Sequence, residues 1–167
     1  MTIILGIDPG SRITGYGVVS VARHRVTHIA DGCIRVADQP LEQRLVSIFN
    51  RLDEVIQEYH PEEAAVEKVF MNRNPDSALK LGHARGVALL VACRAGLSVS
   101  EYAATRIKQA LVGRGHADKT QVQHMVSALL DLKSNPQADA ADALAAAICH
   151  AHMREGLARI ALAGGRA

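Results

Sequence analysis

The sequence contains few aromatic residues and no tryptophan, with aromatics making up 3% of its 167 residues. A core of this composition must be aliphatic and rich in alanine, so an aromatic side chain outside it would be conspicuous. A large charge of one sign is also lacking, because the formal net charge is only +2. Such a mild charge does not identify a nucleic-acid-binding protein by itself. If several acids meet in one site, however, the remaining surface is more basic than this total suggests.

Cysteines are few and odd in number, and Cys33, Cys93 and Cys149 lack the spacing of metal ligands. We interpret them as reduced, mostly buried thiols of a cytoplasmic protein, and their spacing disfavours zinc. Long apolar runs are missing too, because Asp8 interrupts the first one and the later ones are too short to span a membrane. We therefore expect a soluble intracellular protein with no membrane partner.

Hydrophobic periodicity and turn residues predict five strands and five helices. The predicted strands are Thr2–Asp8, Gly15–Ala22, Val26–Ile34, Ala64–Phe70 and Leu97–Tyr102. The predicted helices are Pro40–Tyr59, Asp76–Ala95, Ala103–Leu111, Lys119–Leu130 and Ala138–Glu155. Three strands in an antiparallel meander followed by helix-linked strands predict an α/β fold, with a mixed five-stranded sheet and helices on both faces.

The length and the 49% hydrophobic content fit one globular domain. We predict that residues 1–155 form this domain and that residues 156–167 form a flexible tail. Asp76 or Ser77 is expected to cap the second helix.

Acidic residues interrupt apolar surroundings at four positions: Asp8 in LGIDPG, Glu67 in AAVEKV, and Asp139 and Asp142 in QADAADALAAAI. Local explanations exist for two of them, because Asp8 can cap the Pro-Gly turn and Asp139 can complement the start of a helix. Asp142 shares a helical face with Asp139, where two anions repel each other. Glu67 has no local explanation, since an apolar strand gains nothing from a carboxylate.

A shared cation would remove the cost of burying these carboxylates. Asp8 and Glu67 end two strands of one sheet, where both can meet a helix that presents Asp139 and Asp142. Carboxylate oxygens are the ligands that Mg²⁺ prefers, and two such ions about 3.5–4 Å apart can act on one phosphate. The pattern therefore favours a site with two Mg²⁺ or similar ions that acts on phosphodiesters.

Six segments between residues 2 and 153 match the sequence pattern of a known protein family in the same order: ILGIDPGSRITGYGVV, DGCIRV, VFMNRNPDSALKLGHARG, VSEYAATRIKQALVG, ADKTQVQHMV and NPQADAADALAAAICHAH. They resemble the RuvC family of bacterial Holliday-junction resolvases. The resemblance implies a ribonuclease H-like fold and a homodimer that nicks opposed strands of a four-way DNA junction with Mg²⁺ or Mn²⁺. It places the acidic residues of the family on Asp8, Glu67, Asp139 and Asp142. Lys68 stands where the family commonly has Gln, and strand alternation predicts that it faces away from Glu67.

The expected chemistry is in-line attack by an activated water on a junction phosphodiester, leaving 5′-phosphate and 3′-hydroxyl ends. We expect Asp8, Glu67 and Asp139 to be the principal ligands, with Asp142 a further ligand or the base that orients the water. Lys119 would stabilise the developing charge. The resemblance also implies a role in recombination and repair beside the RuvA-RuvB branch-migration complex. It places the dimer contact on helix Asp76–Ala95, whose apolar face could instead belong to the core.

Aromatic and basic residues near these acids are candidates for DNA contacts. Phe70 heads a polar loop with Met71 and either ends its strand in the core or stacks on bases near the cleaved phosphate. The family uses a Phe at the crossover, which favours stacking. The basic candidates, each of which could instead be a solvated surface charge, are Lys80, Arg85, Lys108, Arg114 and Lys119. Of these, Lys108 and Lys119 match basic residues of the family.

Three other functions compete with this one. A different ribonuclease H-like nuclease could act on RNA or on simple branched DNA. An actin-like or sugar-kinase ATPase also opens with a strand and a DxG turn, but it needs a second such lobe. A non-catalytic junction-binding module would not need the complete set of carboxylates.

Overall fold

The computed structural model describes residues 1–23, 25–68, 74–113, 115 and 117–164, with residues 155–164 described by their backbone alone. The strands are β1 (Thr2–Asp8), β2 (Ile13–Ala22), β3 (Arg25–Arg35), β4 (Glu63–Lys68) and β5 (Ser98–Ala103). The helices are α1 (Leu41–Tyr59), α2 (Pro75–Arg94), α3 (Ala104–Val112), α4 (Lys119–Leu129) and α5 (Ala138–Gly164).

The strands form one five-stranded sheet in the order β3-β2-β1-β4-β5. The first three strands pair antiparallel, whereas β1 with β4 and β4 with β5 pair parallel. This confirms the predicted meander and the predicted mixed sheet. The parallel pairing brings the carboxyl ends of β1 and β4 to one edge of the sheet, which is where their acidic residues lie.

Strand alternation gives each face of the sheet its own core. Ile4 and Val19 pack with residues of α3, α4 and α5, whereas Leu5 and Val18 pack with residues of α1 and α2. The buried positions of α1 recur at helical spacing and form one stripe: Ile48, Leu52, Val55 and Ile56. The predicted arrangement of helices on both faces is therefore confirmed.

Helix α5 lies directly on the backbone of β1 and β2, and glycines make this possible. A Cβ atom at Gly6 would lie 2.0 Å from the carbonyl oxygen of Ala143, and one at Gly15 would lie 1.9 Å from that of Asp139. Neither position has room for a side chain, and the buried face of α5 consists largely of alanine. Glycine on the strands and alanine on the helix thus set how close the start of α5 comes to the end of β1.

Three sequence predictions need correction, namely the cap of α2, the burial of the cysteines and the end of α5. Asn74, rather than Asp76 or Ser77, caps α2, because its Oδ1 accepts hydrogen bonds from the Asp76 and Ser77 amides at 3.1 and 3.4 Å. Pro75 suits the first helical position, which makes the residue before it the cap. The predicted burial of the cysteines is correct for Cys149, but Cys33 is half-buried and Cys93 is exposed.

Helix α5 continues to Gly164, beyond the predicted end at Glu155. Alanine and leucine in this stretch favour the continued helix. The single domain over residues 1–155 and the flexibility of residues 156–167 stay predictions. Among the described helices, none is both long and apolar enough to cross a membrane.

Candidate active site

Asp8 and Glu67 lie on the same face of the sheet at neighbouring strand ends. Ile7 and Val66 point into the core beneath α1 and α2, so the next residue on each strand points toward α5. Since β1 and β4 are parallel and in register from Ile4 with Glu63 to Ile7 with Val66, the two carboxylates are neighbours. Strand alternation and the parallel register therefore place both acids on the face of the sheet that α5 covers.

The first turns of α5 bring Asp139 and Asp142 to the same place. Gly15 pairs with Asp8 across β1 and β2, and the missing side chain at Gly15 leaves room for the backbone of Asp139. Asp142 follows one turn later and is exposed over 25% of its side chain. The predicted meeting of these acids at one edge of the sheet is what the structure describes.

Burial and mutual repulsion make these carboxylates hard to ionise. The pKa of Asp8 is raised to about 8, first by burial and then by the charges of Glu67, Asp142 and Asp139, while Lys119 lowers it. Burial is also the main cause of the raised pKa of Glu67 and of Asp142. The acids repel one another in a partly desolvated place, which is the usual sign of a site for an external cation.

Lysine side chains partly offset this repulsion. Lys119, the first residue of α4, places its Nζ 3.5 Å from Oδ2 of Asp142, and the acids raise the pKa of this lysine. Lys108 on α3 lowers the pKa of both Glu67 and Asp142. The side chain of Lys119 is 78% exposed, so it remains available to a phosphate.

The donor set fits a hard divalent cation in chemistry, although the acids do not enclose a point. Over the described ranges, no three His, Cys, Asp or Glu side chains are grouped closely enough to hold a metal ion together. All donors here are carboxylate oxygens, the ligands of Mg²⁺ and Mn²⁺. Burial, and then neighbouring negative charge, raises the pKa of Asp8, Glu67 and Asp142, and a bound cation would offset that repulsion. The chemistry of the donor set therefore fits such an ion.

The structure divides the basic residues proposed for DNA. Lys108 and Lys119 lie beside the acids. Lys80 pairs with Asp76 at 2.7 Å on the exposed start of α2, and Arg85 pairs with Glu101 on β5. Phe70, Met71 and Arg114 lie outside the described residues.

Lys68 is exposed and follows Glu67 on the strand, so alternation turns it toward the opposite face. It is not among the charges that shift the pKa of Glu67. The prediction that Lys68 faces away from the acids agrees with this placement.

Two features of the site were missed by sequence reasoning. The first is the close approach of α5 over Gly6 and Gly15, which glycine in a strand interior could have indicated. The second is Arg35, the last residue of β3, whose guanidinium donates to Oε1 of Gln137 at 2.5 Å. No pattern in the sequence signals that contact, because the two residues are far apart along the chain.

The chain resembles proteins of one family over nearly its whole length. A family profile described as "Crossover junction endodeoxyribonuclease RuvC" matches residues 4–150. A protein of that description from Marinobacter nauticus is 58% identical over 99% of this chain and 95% of its own length. One from Shewanella pealeana is 56% identical over 98% and 94%.

Solved structures agree with these matches. The structure "T. thermophilus RuvC in complex with Holliday junction substrate" superposes with a TM-score of 0.86 at 38% identity, over 93% of this chain and 97% of that one. The yeast mitochondrial Holliday junction resolvase, 15% identical with a TM-score of 0.64 over 93% of this chain and 82% of that one, shares the fold.

Proposed function

Because the chain belongs to the RuvC family of crossover junction endodeoxyribonucleases, we propose that the acidic site at the edge of its sheet resolves four-way DNA junctions. Paired nicks in opposed strands would leave 5′-phosphate and 3′-hydroxyl ends. The observation that carries the proposal is the group of mutually repelling acids Asp8, Glu67, Asp139 and Asp142, flanked by Lys108 and Lys119.

We propose that Asp8, Glu67 and Asp139 hold Mg²⁺ or Mn²⁺, two ions in each site, with Asp142 as a further ligand or the base that orients the attacking water. When bound, such ions supply Lewis-acid stabilisation of the charge that develops on phosphate oxygens. The Lys119 ammonium beside Asp142 would stabilise the same charge. Metal binding competes with protons for Asp8, Glu67 and Asp142, whose pKa values are raised, so activity should fall in acidic solution.

DNA contacts are proposed around the acids. Lys108 and Lys119 would neutralise phosphates next to the cleaved bond. Phe70, with Met71 beside it, would stack on or wedge between bases at the crossover. Arg114 remains a candidate, whereas the ion pairs of Lys80 and Arg85 make these two weaker ones.

A homodimer is proposed through α2. Leu79 and Leu90 are 66% and 59% exposed on this helix. Gly82 and Gly86 lie between them, and a Cβ atom at either would touch nothing within 4 Å. Small residues between exposed leucines allow a second copy of the helix to approach closely, and a twofold dimer would present two identical sites to the two opposed strands. Light scattering should give the mass of a dimer for the intact chain and of a monomer for Leu90→Glu.

The cellular setting is the least direct part of the proposal. We propose that the protein acts in the cytoplasm in recombination and repair, together with the RuvA-RuvB branch-migration complex. Both statements rest on family membership alone.

The decisive experiment compares one synthetic four-way junction with linear duplex and with an RNA–DNA hybrid. With Mg²⁺ present, the protein should cut the junction in symmetric pairs and leave the duplex intact. Asp8→Asn should bind the junction with near-normal affinity and leave it uncut. Preferential cutting of the hybrid would point to another ribonuclease H-like nuclease. Binding of the junction without cutting would point to a recognition module. Binding of ATP in a separate assay would point to the ATPase alternative.

A further inference from the structure

Arg35 carries a positive charge at the acidic edge of the sheet, on the side away from the two lysines. It ends β3, whereas Lys108 and Lys119 belong to helices packed near β5 and α5. Ile34 points into the core beneath α1 and α2, so Arg35 points to the opposite face, where Asp8 and Glu67 lie. Its hydrogen bond to Gln137, just before Asp139, agrees with this direction.

No described carboxylate neutralises this guanidinium. Its partner in the structure is the side-chain carbonyl of Gln137, which uses part of a group with five N–H donors. By contrast, the arginines Arg51, Arg85 and Arg154 each pair with a glutamate. An exposed arginine held by a neutral amide keeps its full charge for a ligand, and its planar fork suits phosphate oxygens.

Sheet geometry fixes the distance from Arg35 to the acids. Asp8 pairs with Gly15 and Gly15 pairs with Cys33, so Arg35 lies two strands across and two residues further along. Strand spacing and rise place its backbone roughly 10–12 Å from that of Asp8. A separation of this size lets Arg35 reach a phosphate close to the cleaved bond while the carboxylates face the bond itself.

We infer that Arg35, oriented by Gln137, binds a backbone phosphate of the junction strand close to the cut. The strand would then cross the sheet edge from the lysines near β5, over the carboxylates, to Arg35 on β3. This inference rests on the proposed function and adds a contact that sets the direction of the strand through the site. Arg35 lines a cavity of about 270 Å³. Arg12, which is exposed just before β2, lines this cavity too and extends the basic surface.

Asp38 also lines that cavity and provides a variant of opposite sign. A bound phosphate would be repelled by this carboxylate as well as attracted by Arg35. If the cavity faces DNA, removing the negative charge should tighten binding while removing the positive charge weakens it.

The test measures junction affinity by fluorescence anisotropy over a series of salt concentrations, without divalent ions. Arg35→Gln should weaken binding about tenfold, as expected for one charged hydrogen-bonding contact. It should also reduce the slope of log affinity against log salt by about 0.9 for each phosphate that the variant no longer neutralises. Arg35→Lys should recover the slope, and Asp38→Asn should bind more tightly than the parent protein.

Two controls separate charge from structure. Arg51→Gln removes an arginine from α1 on the opposite face and should change neither affinity nor slope. Gln137→Ala removes the anchor but keeps the charge, so it should preserve the slope. Equal behaviour of Arg35→Gln and Arg51→Gln, with normal cutting by the parent protein, would overturn the inference and leave the proposed function standing. A parent protein that binds but never cuts junctions would instead defeat the proposed function.

Discussion

Glu63 and Glu67 lie on the same strand, β4, and face the same helix, α5, yet their surroundings are opposite. Glu63 pairs with His150 at 2.6 Å and with Arg154 at 2.9 Å. His150 in turn makes a hydrogen bond of 2.7 Å with the hydroxyl of Tyr102. Glu67 meets the charge of Asp142 and Asp8, and the nearby lysines only reduce its raised pKa.

The difference shows that the fold surrounds two partly buried acids of one strand in opposite ways. At the Glu63 end the protein provides its own partners, the His150 ring and the cationic Arg154, so the acid fastens α5 to the sheet. At the Glu67 end it concentrates anions, and Lys108 and Lys119 supply only part of the counter-charge. The two ends share one helix, so the fastened end holds the acids of the other end in place.

The largest expected effect comes from exchanging each glutamate for glutamine. Glu67→Gln should lower junction cleavage about 10³-fold or more, because it removes one of the carboxylates that we propose as ligands of the activating cation. Glu63→Gln should leave cleavage within a few-fold and lower the free energy of unfolding by about 1–3 kcal/mol, since His150 and Arg154 lose an anionic partner. Single-turnover cleavage and urea denaturation of both variants check this contrast.

Both variants should be assayed at a temperature well below the unfolding transition of Glu63→Gln, so that a loss of folded protein is not mistaken for a loss of catalysis. If both variants lost cleavage equally at full folding, the division between a fastening end and a catalytic end would be wrong.

A smaller effect is expected for Lys119→Ala. Removing an exposed ammonium 3.5 Å from Asp142 should lower the single-turnover rate at saturating protein by about 10–100-fold, because developing phosphate charge loses one stabilising group. Lys133→Ala, an exposed lysine after α4, is the matched control and should cut at the parent rate. A Lys119→Ala protein that only binds more weakly would limit this lysine to DNA attraction.

The smallest effect concerns stability against pH in metal-free protein. The folded chain keeps the Asp8 proton up to a pKa of about 8, whereas the reference value is 3.8. Stability from this proton is complete below the lower value and is lost as the pH rises through the upper one. Asp8→Asn should therefore match the parent in acidic solution and exceed it by at least about 1–2 kcal/mol at alkaline pH. Denaturation of both proteins across pH checks the divergence, and parallel curves would show that Asp8 is not destabilised.

Much of the fold and of the acidic site could be predicted from the sequence, because the strands have clear apolar patterns and the acids interrupt them. The predicted bounds of β1 are those of the structure, since Thr2–Asp8 is apolar and ends at Pro-Gly. Asp8 and Glu67 are identifiable because carboxylates are out of place in apolar strands. The predicted start of α5 at Ala138 is also correct, with both of its acids.

The rest depends on contacts between distant parts of the chain. Glu63, Tyr102 and His150 each have an ordinary local explanation, and only the packing of β4, β5 and α5 joins them. Arg35 looks like one more surface charge until Gln137 is placed beside it. Contacts between residues far apart along the chain produce no periodic pattern in the sequence, so a single sequence does not reveal them.

The most direct test of the central claim measures thermal stability with and without Mg²⁺. The claim is that the acids at the end of β1 and the start of α5 bind a divalent cation from solution. Saturating Mg²⁺ should raise the melting temperature of the parent protein by about 5 °C or more, through binding to the folded state alone. The shift should nearly vanish in Asp8→Asn and persist in Glu63→Gln. An equal shift in all three proteins, or none in the parent, would contradict the account.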